Sequence, residues 1–196
     1  WSVWLRACRF TTVNGKAIET YFAVVVTTLA DRLLDRDRRS WLRDESIWWR
    51  GLDDTRVGQV GADVDGELSC FDGGTLADDP ADGQDLFREL YEALLPRRLR
   101  HRLGEYYTPP WLADLVLDRV GYHGDSRQRI LDPTCGSGVF LLRALARIRR
   151  RCREQDDGLR GTELAQAMLQ SVVGFDVNPL AVLTARVHFR LALRDL

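Results

Sequence analysis

Lysine is almost absent from this chain. Lys16 is the only one, so nearly all of the 28 basic side chains are arginines. Arginine is the better fork for phosphate oxygens, but a biased genome composition accounts for the count more simply. Net charge is also lacking, at −1, so no global basic field announces a nucleic-acid partner and any such surface must be local. Cysteine is sparse: Cys8, Cys70, Cys135 and Cys152 form no Cys-x-x-Cys pair, and the histidines are scattered. This pattern argues against zinc and against a disulfide framework, and fits reduced thiols in the cytoplasm. No apolar run reaches membrane-spanning length; Tyr21 to Ala30 is too short and includes Thr27 and Thr28. A signal-peptide pattern is missing too. The first residue is Trp1 rather than methionine, as expected of a piece of something longer.

What is present is enough for one substantial core with an accessory segment: 196 residues, 45% of them hydrophobic. The first half reads as mostly helical. Ile18, Phe22, Val25, Val26, Leu29 and Leu33 recur at helical spacing and predict a helix over 17–36. Trp41, Trp48 and Trp49 are expected to pack on a neighbouring helix. "VGADVDGELSCF" suggests a small hairpin near 56–71 about an Asp65-Gly66 turn, and the Gly/Asp-rich stretch after it reads as surface loop. "DLFRELYEALLP" predicts a helix capped by Asp85 and ended by Pro96, with Leu86, Leu90, Tyr91 and Leu94 on one face. In "RRLRHRLGEYY", Arg97, Arg98, Arg100 and Arg102 either meet phosphates or lie in a solvated connector.

The second half changes style. "ILDPTCGSGVFLLRALARIRR" reads as a strand end, a Gly-rich turn and a helix with Leu141, Leu145, Ile148 and Cys152 inside. A charged linker over 153–162 leads to a helix from Glu163 to about Gln170. "SVVGFDVNP" follows as a buried strand ending at Asp176. Asn178 can cap the next helix with Pro179 at its first position, and Leu180, Leu183, Val187 and Leu191 form that helix's inner face. Strand, helix, strand, helix implies an α/β fold with a parallel sheet. We place the accessory region at 1–100 and the start of the α/β domain at 101–196.

The most informative stretch is Asp132-Pro133-Thr134-Cys135-Gly136-Ser137-Gly138. A turn between a parallel strand and its helix lies at the carboxyl edge of the sheet, where α/β folds bind ligands. Gly136 and Gly138 let the backbone approach a ligand closely, with N–H groups at a helix N-terminus. A dinucleotide site would want a third glycine where Leu141 stands. An acid at the strand end accepts a hydrogen bond from an ammonium group and repels a pyrophosphate, so Asp132 favours an amino-acid-bearing cofactor, S-adenosylmethionine, over NAD. Asp176 ends the next strand and suits a grip on ribose hydroxyls; its alternative is a helix-capping role. It lies 44 residues past Asp132, against about 20 in a minimal dinucleotide unit, and we read the difference as an insertion.

"GEYYTP", "ILDPTCGSGVFL" and "GFDVNPLAVLTAR", in that order, resemble the cofactor half of N6-adenine-specific DNA methyltransferases, notably the large methylases of restriction–modification and phage-defence systems. The clear likeness runs from Phe87 to Leu196. It implies a partial class I, Rossmann-like methyltransferase fold. It further implies that Tyr107, Thr108 and Pro109 contact the methionine end of S-adenosylmethionine, and that Asp132 and the backbone of Pro133, Thr134, Cys135, Gly136, Ser137 and Gly138 hold its amino and carboxylate groups. Asp176 would bind the ribose, Val177 would pack on the adenine, and Asn178 would be counted with the cofactor-binding residues. Cys135 stands where the family accepts small residues and is no nucleophile. The resemblance also implies double-stranded DNA, and restriction or defence subunits, as partners of the full-length protein.

Thr108-Pro109-Pro110-Trp111 imitates the family's catalytic tetrapeptide of Asn or Asp, Pro, Pro and an aromatic. It precedes the glycine loop instead of following both carboxylates, and threonine lacks the amide or carboxylate oxygen needed. We read it as a helix start, with Thr108 as N-cap, Pro109 at the first helical position, Leu112, Leu115, Val116 and Val120 on one face and Trp111 as helix packing. The tetrapeptide itself does not occur between Asp176 and Leu196. The chain is therefore expected to carry the cofactor side of the reaction and not the base side. Two rivals remain: a methyltransferase acting on another planar amine or amide (an RNA base or a protein glutamine), and a non-catalytic cofactor-binding or scaffolding subunit.

Overall fold

The structure is a computed structural model that describes residues 13–34, 54–68, 87, 107–155 and 159–196. The expected helix after Asp85, the tryptophans at 41, 48 and 49 and the arginines at 97–102 lie outside the described residues, apart from Phe87. In chain order the elements are α1 (Val13–Leu34), α2 (Asp54–Leu68), α3 (Pro110–Arg119), β1 (Ile130–Asp132), α4 (Val139–Gln155), α5 (Gly161–Ser171), β2 (Val172–Gly174) and α6 (Pro179–Ala192).

β1 and β2 pair in parallel, with Ile130 beside Val172, Leu131 beside Val173 and Asp132 beside Gly174. The strand–helix–strand–helix reading of the second half therefore holds for these two strands. The alternation of a pleated strand sorts their side chains. Val172 is buried and Ile130 packs on the core formed with α4 and α5, whereas Leu131 and Val173 are 60% and 41% exposed. "SVVGFDVNP" is thus no fully buried strand. It stops at Gly174, and only one of its faces is covered.

Leu141, Leu145, Ile148 and Cys152 face the core from α4, with Leu164 and Met168 from α5. Leu180, Leu183, Val187 and Leu191 are buried on α6. Each such burial is worth about 1.5–3 kcal/mol relative to exposure. α6 also packs against α1, and α1 against α2. α1, expected over 17–36, runs over Val13–Leu34. Every residue from Phe22 to Thr28 is buried, as befits an apolar segment enclosed by two helices. Its buried hydroxyls are satisfied locally: Thr27 Oγ1 donates to the Ala23 carbonyl at 2.9 Å and Thr28 Oγ1 to the Val24 carbonyl at 2.8 Å.

The hairpin expected near 56–71 is a helix where the structure describes it, over Asp54–Leu68. Val57, Val60, Val64 and Leu68 recur at three- and four-residue steps, and that period outweighs the turn chemistry of Asp65-Gly66. Val64 is buried, and Arg32 Nη1 donates to the Asp65 carbonyl at 3.0 Å, tying α2 to α1. The helical spacing of the valines overrides local strand propensity here. Among the described residues, no helix is long and apolar enough to cross a membrane.

α3 is rotated from its expected setting. Trp111 is 67% exposed, and Leu115, Val116 and Val120 face outward too, while Ala113 and Leu117 are buried. The cause is ionic. Arg143 on α4 bonds Asp114 at 2.6 Å, and the buried Arg147 bonds Asp114 at 3.2 Å and Asp118 at 2.5 Å. Arg147 also donates to the carbonyls of Tyr122 and Asp114. Holding both aspartates on α4 turns the apolar stripe to the outside. Asp114 to Arg143 and Asp118 to Arg147 are each 29 residues apart. A constant offset means that the two helices run parallel with their N-termini at the same end.

Candidate cofactor site

That shared end is where the glycine loop sits. β1 delivers Asp132 at its last residue, the chain turns through Pro133–Gly138, and α4 begins at Val139. The parallel offset brings the Tyr107–Pro109 segment, just before α3, to the same end as this loop. Thr108 does not cap α3. Pro109 is the N-cap residue, with no side-chain cap bond, and its carbonyl accepts from Leu112 and Ala113 at 3.0 and 3.1 Å. Two consecutive prolines explain the shift. The residue before a proline is driven out of the helical region, so Pro109 is extended at φ −61°, ψ 145° and Pro110 takes the first helical position.

The loop is folded onto the unit that follows it. Phe175 N–H donates to the Asp132 carbonyl at 2.9 Å, and Cys135 N–H returns a bond to the Phe175 carbonyl at 2.8 Å. These bonds continue the strand pairing past the end of β2. Asp176 then reaches across: its Oδ2 accepts from Gly136 N–H at 2.8 Å, and its Oδ1 from Asn178 N–H at 2.8 Å. Asn178 in turn caps α6 through a 3.0 Å bond from Leu180 N–H to its Oδ1, with Pro179 at the first position as expected.

Those bonds change what the loop offers. Gly136 N–H is held by Asp176, and Gly138 N–H by the Cys135 carbonyl at 2.8 Å. Thr134 N–H bonds Asp132 Oδ1 at 3.1 Å. The glycine N–H groups expected to face a ligand are thus engaged within the protein, and the N–H groups with no partner inside their own helix are those of the first turn of α4. Gly138 has φ +98°, a backbone state that L side chains rarely adopt, and an added Cβ would lie 3.2 Å from that of Ala185.

Both carboxylates are half-buried at this edge, and no arginine pairs with Asp132 or Asp176 among the described residues. Burial, with the Asp176 charge adding to it, raises the Asp132 carboxyl above its usual range, and the Thr134 N–H offsets this only in part. Burial, then the Asp176 and Asp132 charges, push the Cys135 thiol up to about 12, so Cys135 stays protonated and unreactive. Val177 is 87% exposed at the edge beside Asp176.

Two residues that hold the site went unnoticed in the sequence. Gly174 lies so close beneath the loop that an added Cβ would stand 2.7 Å from Leu141 Cδ1 and 2.9 Å from Cys135 Cβ. Its only sequence signal is a lone glycine ending a strand. His188 is buried on α6 with Nδ1 2.9 Å from the Ser137 carbonyl. A single histidine among apolar positions reads as ordinary core, and nothing in the sequence marked it.

The N-6 DNA methylase family matches residues 82–192, more than half of the chain. The adenine-specific methyltransferase PglX of Streptomyces coelicolor is 38% identical over 113 residues, covering 55% of this chain and 9% of that protein. The type I restriction enzyme MjaIX methylase subunit of Methanocaldococcus jannaschii is 34% identical over 101 residues, which is 50% of this chain and 15% of the relative. The type II methyltransferase M.BstVI of Geobacillus stearothermophilus is 44% identical over 48 residues, 23% of this chain and 9% of its own length. The chain thus spans less than a sixth of each of these relatives. No solved structure matches it. The chain belongs to the N-6 DNA methylase family.

Proposed function

We propose that this chain holds S-adenosylmethionine for a site-specific DNA methyltransferase that modifies adenine N6 within a restriction–modification or phage-defence system. One observation carries the reading: Asp132 and Asp176 lie at one sheet edge with no arginine paired to either among the described residues, and Asp176 is tied to the glycine loop by the bond from Gly136. Two uncompensated carboxylates repel a pyrophosphate and attract a ligand with a cationic end. That donor set fits S-adenosylmethionine. Asp132 accepts from the ammonium group, and the first turn of α4, with its unmatched N–H groups and positive end, meets the carboxylate. Asp176 retains a lone pair on each oxygen after its two backbone bonds, enough to accept from two ribose hydroxyls. Val177 lies along the adenine, and Tyr107, Thr108 and Pro109 border the methionine end. When bound, the cofactor supplies a methyl group activated by its sulfonium.

The domain reading belongs here too: residues 101–196 form the start of a class I, Rossmann-like domain and 1–100 an accessory region. The 196 residues contain no Asn/Asp-Pro-Pro-aromatic tetrapeptide, so the chain alone binds cofactor and orients it but does not accept the hydrogen bonds of an adenine amino group. Calorimetry with S-adenosylmethionine and with NAD tests the assignment. Binding of the first alone is expected; a preference for NAD overturns it.

A further inference from the structure

The glycine loop is tied down from three directions. Cys135 N–H meets the Phe175 carbonyl, Gly136 N–H meets Asp176, and the Ser137 carbonyl meets His188 Nδ1 at 2.9 Å. The first two ties come from the segment just after β2. The third comes from well inside α6, and its chemistry is fixed, because a carbonyl oxygen can only accept. Nδ1 therefore carries the proton and donates. The ring has little freedom to leave. His188 is 2% exposed, and its ring lies 4.9 Å from that of the equally buried Phe87 at an interplanar angle of 37°. One turn earlier on α6, Ala185 packs beneath Gly138.

The peptide between Ser137 and Gly138 is consequently held at both ends. His188 takes its carbonyl, and the Cys135 carbonyl takes its N–H at 2.8 Å. The next peptide, between Gly138 and Val139, carries the first N–H of α4, so holding the Ser137–Gly138 peptide anchors the point from which that helix starts. We propose that His188 is a positioning residue. By donating from Nδ1 to the Ser137 carbonyl it fixes the glycine loop in its ligand-ready form before any ligand arrives, and so lowers the ordering that a bound ligand must impose. For the ligand itself the inference rests on the S-adenosylmethionine reading; for the loop it stands alone.

The test compares two variants of this chain. His188→Asn keeps an N–H donor near the place of Nδ1, whereas His188→Phe keeps the ring against Phe87 and removes the donor. Amide-proton exchange of residues 136–140 is measured without ligand, and S-adenosylmethionine affinity by calorimetry. His188→Phe is expected to speed loop exchange and weaken binding about tenfold each, with amide exchange in β1 and α5 unchanged. His188→Asn is expected to stay within about threefold of the parent in both. Loop exchange in His188→Phe equal to the parent overturns the proposal, as does an equal loss in both variants, which would assign the effect to ring packing. If the parent binds no S-adenosylmethionine, the cofactor reading fails, while the ligand-free exchange still decides the role of His188. Should His188→Phe not fold, His188→Asn decides by itself: parent-like loop exchange supports the donor role, and loss of it overturns the role.

Discussion

Asp132 weakens the fold that presents it. Its carboxyl is raised by burial and by the charge of Asp176, so the folded chain holds that proton more tightly than the unfolded chain does. Stability on this account declines as pH rises from the unfolded value of 3.8 through the higher folded one. At neutral pH the ionised group is a net burden. Asp132→Asn is therefore expected to melt at the same or a higher temperature than the parent at pH 7 while losing at least about tenfold in S-adenosylmethionine affinity, since a charge-assisted bond is removed. A thermal melt beside calorimetry reads both; a clear drop in melting temperature would assign Asp132 a structural role instead. Cys135 gives the complementary expectation. With its thiol pushed up to about 12, iodoacetamide at pH 8 should leave it unmodified in the folded chain by mass spectrometry, and labelling there would contradict its placement. Asp132 and the glycine loop were legible because they are consecutive letters after one strand, and Asp176 because it follows the next strand within a few residues. His188 was not, since its meaning comes from a carbonyl 51 residues away.

At the scale of elements, β2 runs close beneath the loop, and the fit depends on a missing side chain. Gly174→Ala would press a methyl group on Leu141 and Cys135, with an expected cost of about 1–3 kcal/mol by overpacking, visible in urea unfolding; an unchanged midpoint would show that the loop gives way freely. The α3–α4 contact yields a pH prediction of opposite sign to that of Asp132. Burial would raise Asp114, but its hydrogen bonds and ion pairs with Arg143 and Arg147 outweigh this and hold the carboxyl below its usual range. Its stabilisation is then full above the unfolded value of 3.8 and lost as pH falls through the folded one. Asp114→Asn should lower the melting temperature at pH 7, and the gap from the parent should close as both are taken toward about pH 2. A gap independent of pH would refute the charge-based account. Helical periods in α4 and α6 were plain in the sequence. The rotation of α3 was not, because apolar spacing alone gives no weight to two aspartates that meet arginines on another helix. The helix at Asp54–Leu68 was misjudged because a turn-forming dipeptide was given more weight than the valine spacing around it.

For the molecule as a whole, α6 is the shared wall between α1 and the candidate site. One side packs on α1 and another on α4, and the His188 and Ala185 positions meet the glycine loop. In a tritiated-methyl assay on double-stranded DNA, this chain is expected to bind S-adenosylmethionine and transfer no methyl; transfer above background would show that the base-side chemistry has another source within these residues. The one-sided covering of the sheet was not legible, because the consecutive apolar residues Val172 and Val173 read as a strand buried on both faces and the sequence does not state what lies across from Leu131 and Val173.

The constant offset between α3 and α4 has a consequence for engineering. Because ion pairs between the helices set the relation of Tyr107–Pro109 to the glycine loop, the segment joining them is a spacer whose length is free wherever it does not pack. Gly124 is pinned against the α4 backbone, whereas Arg127, Gln128 and Arg129 are exposed. A short epitope or a fluorophore-bearing insert at 127–129, at the amino end of β1 and away from the glycine loop, can therefore be carried without displacing the cofactor end.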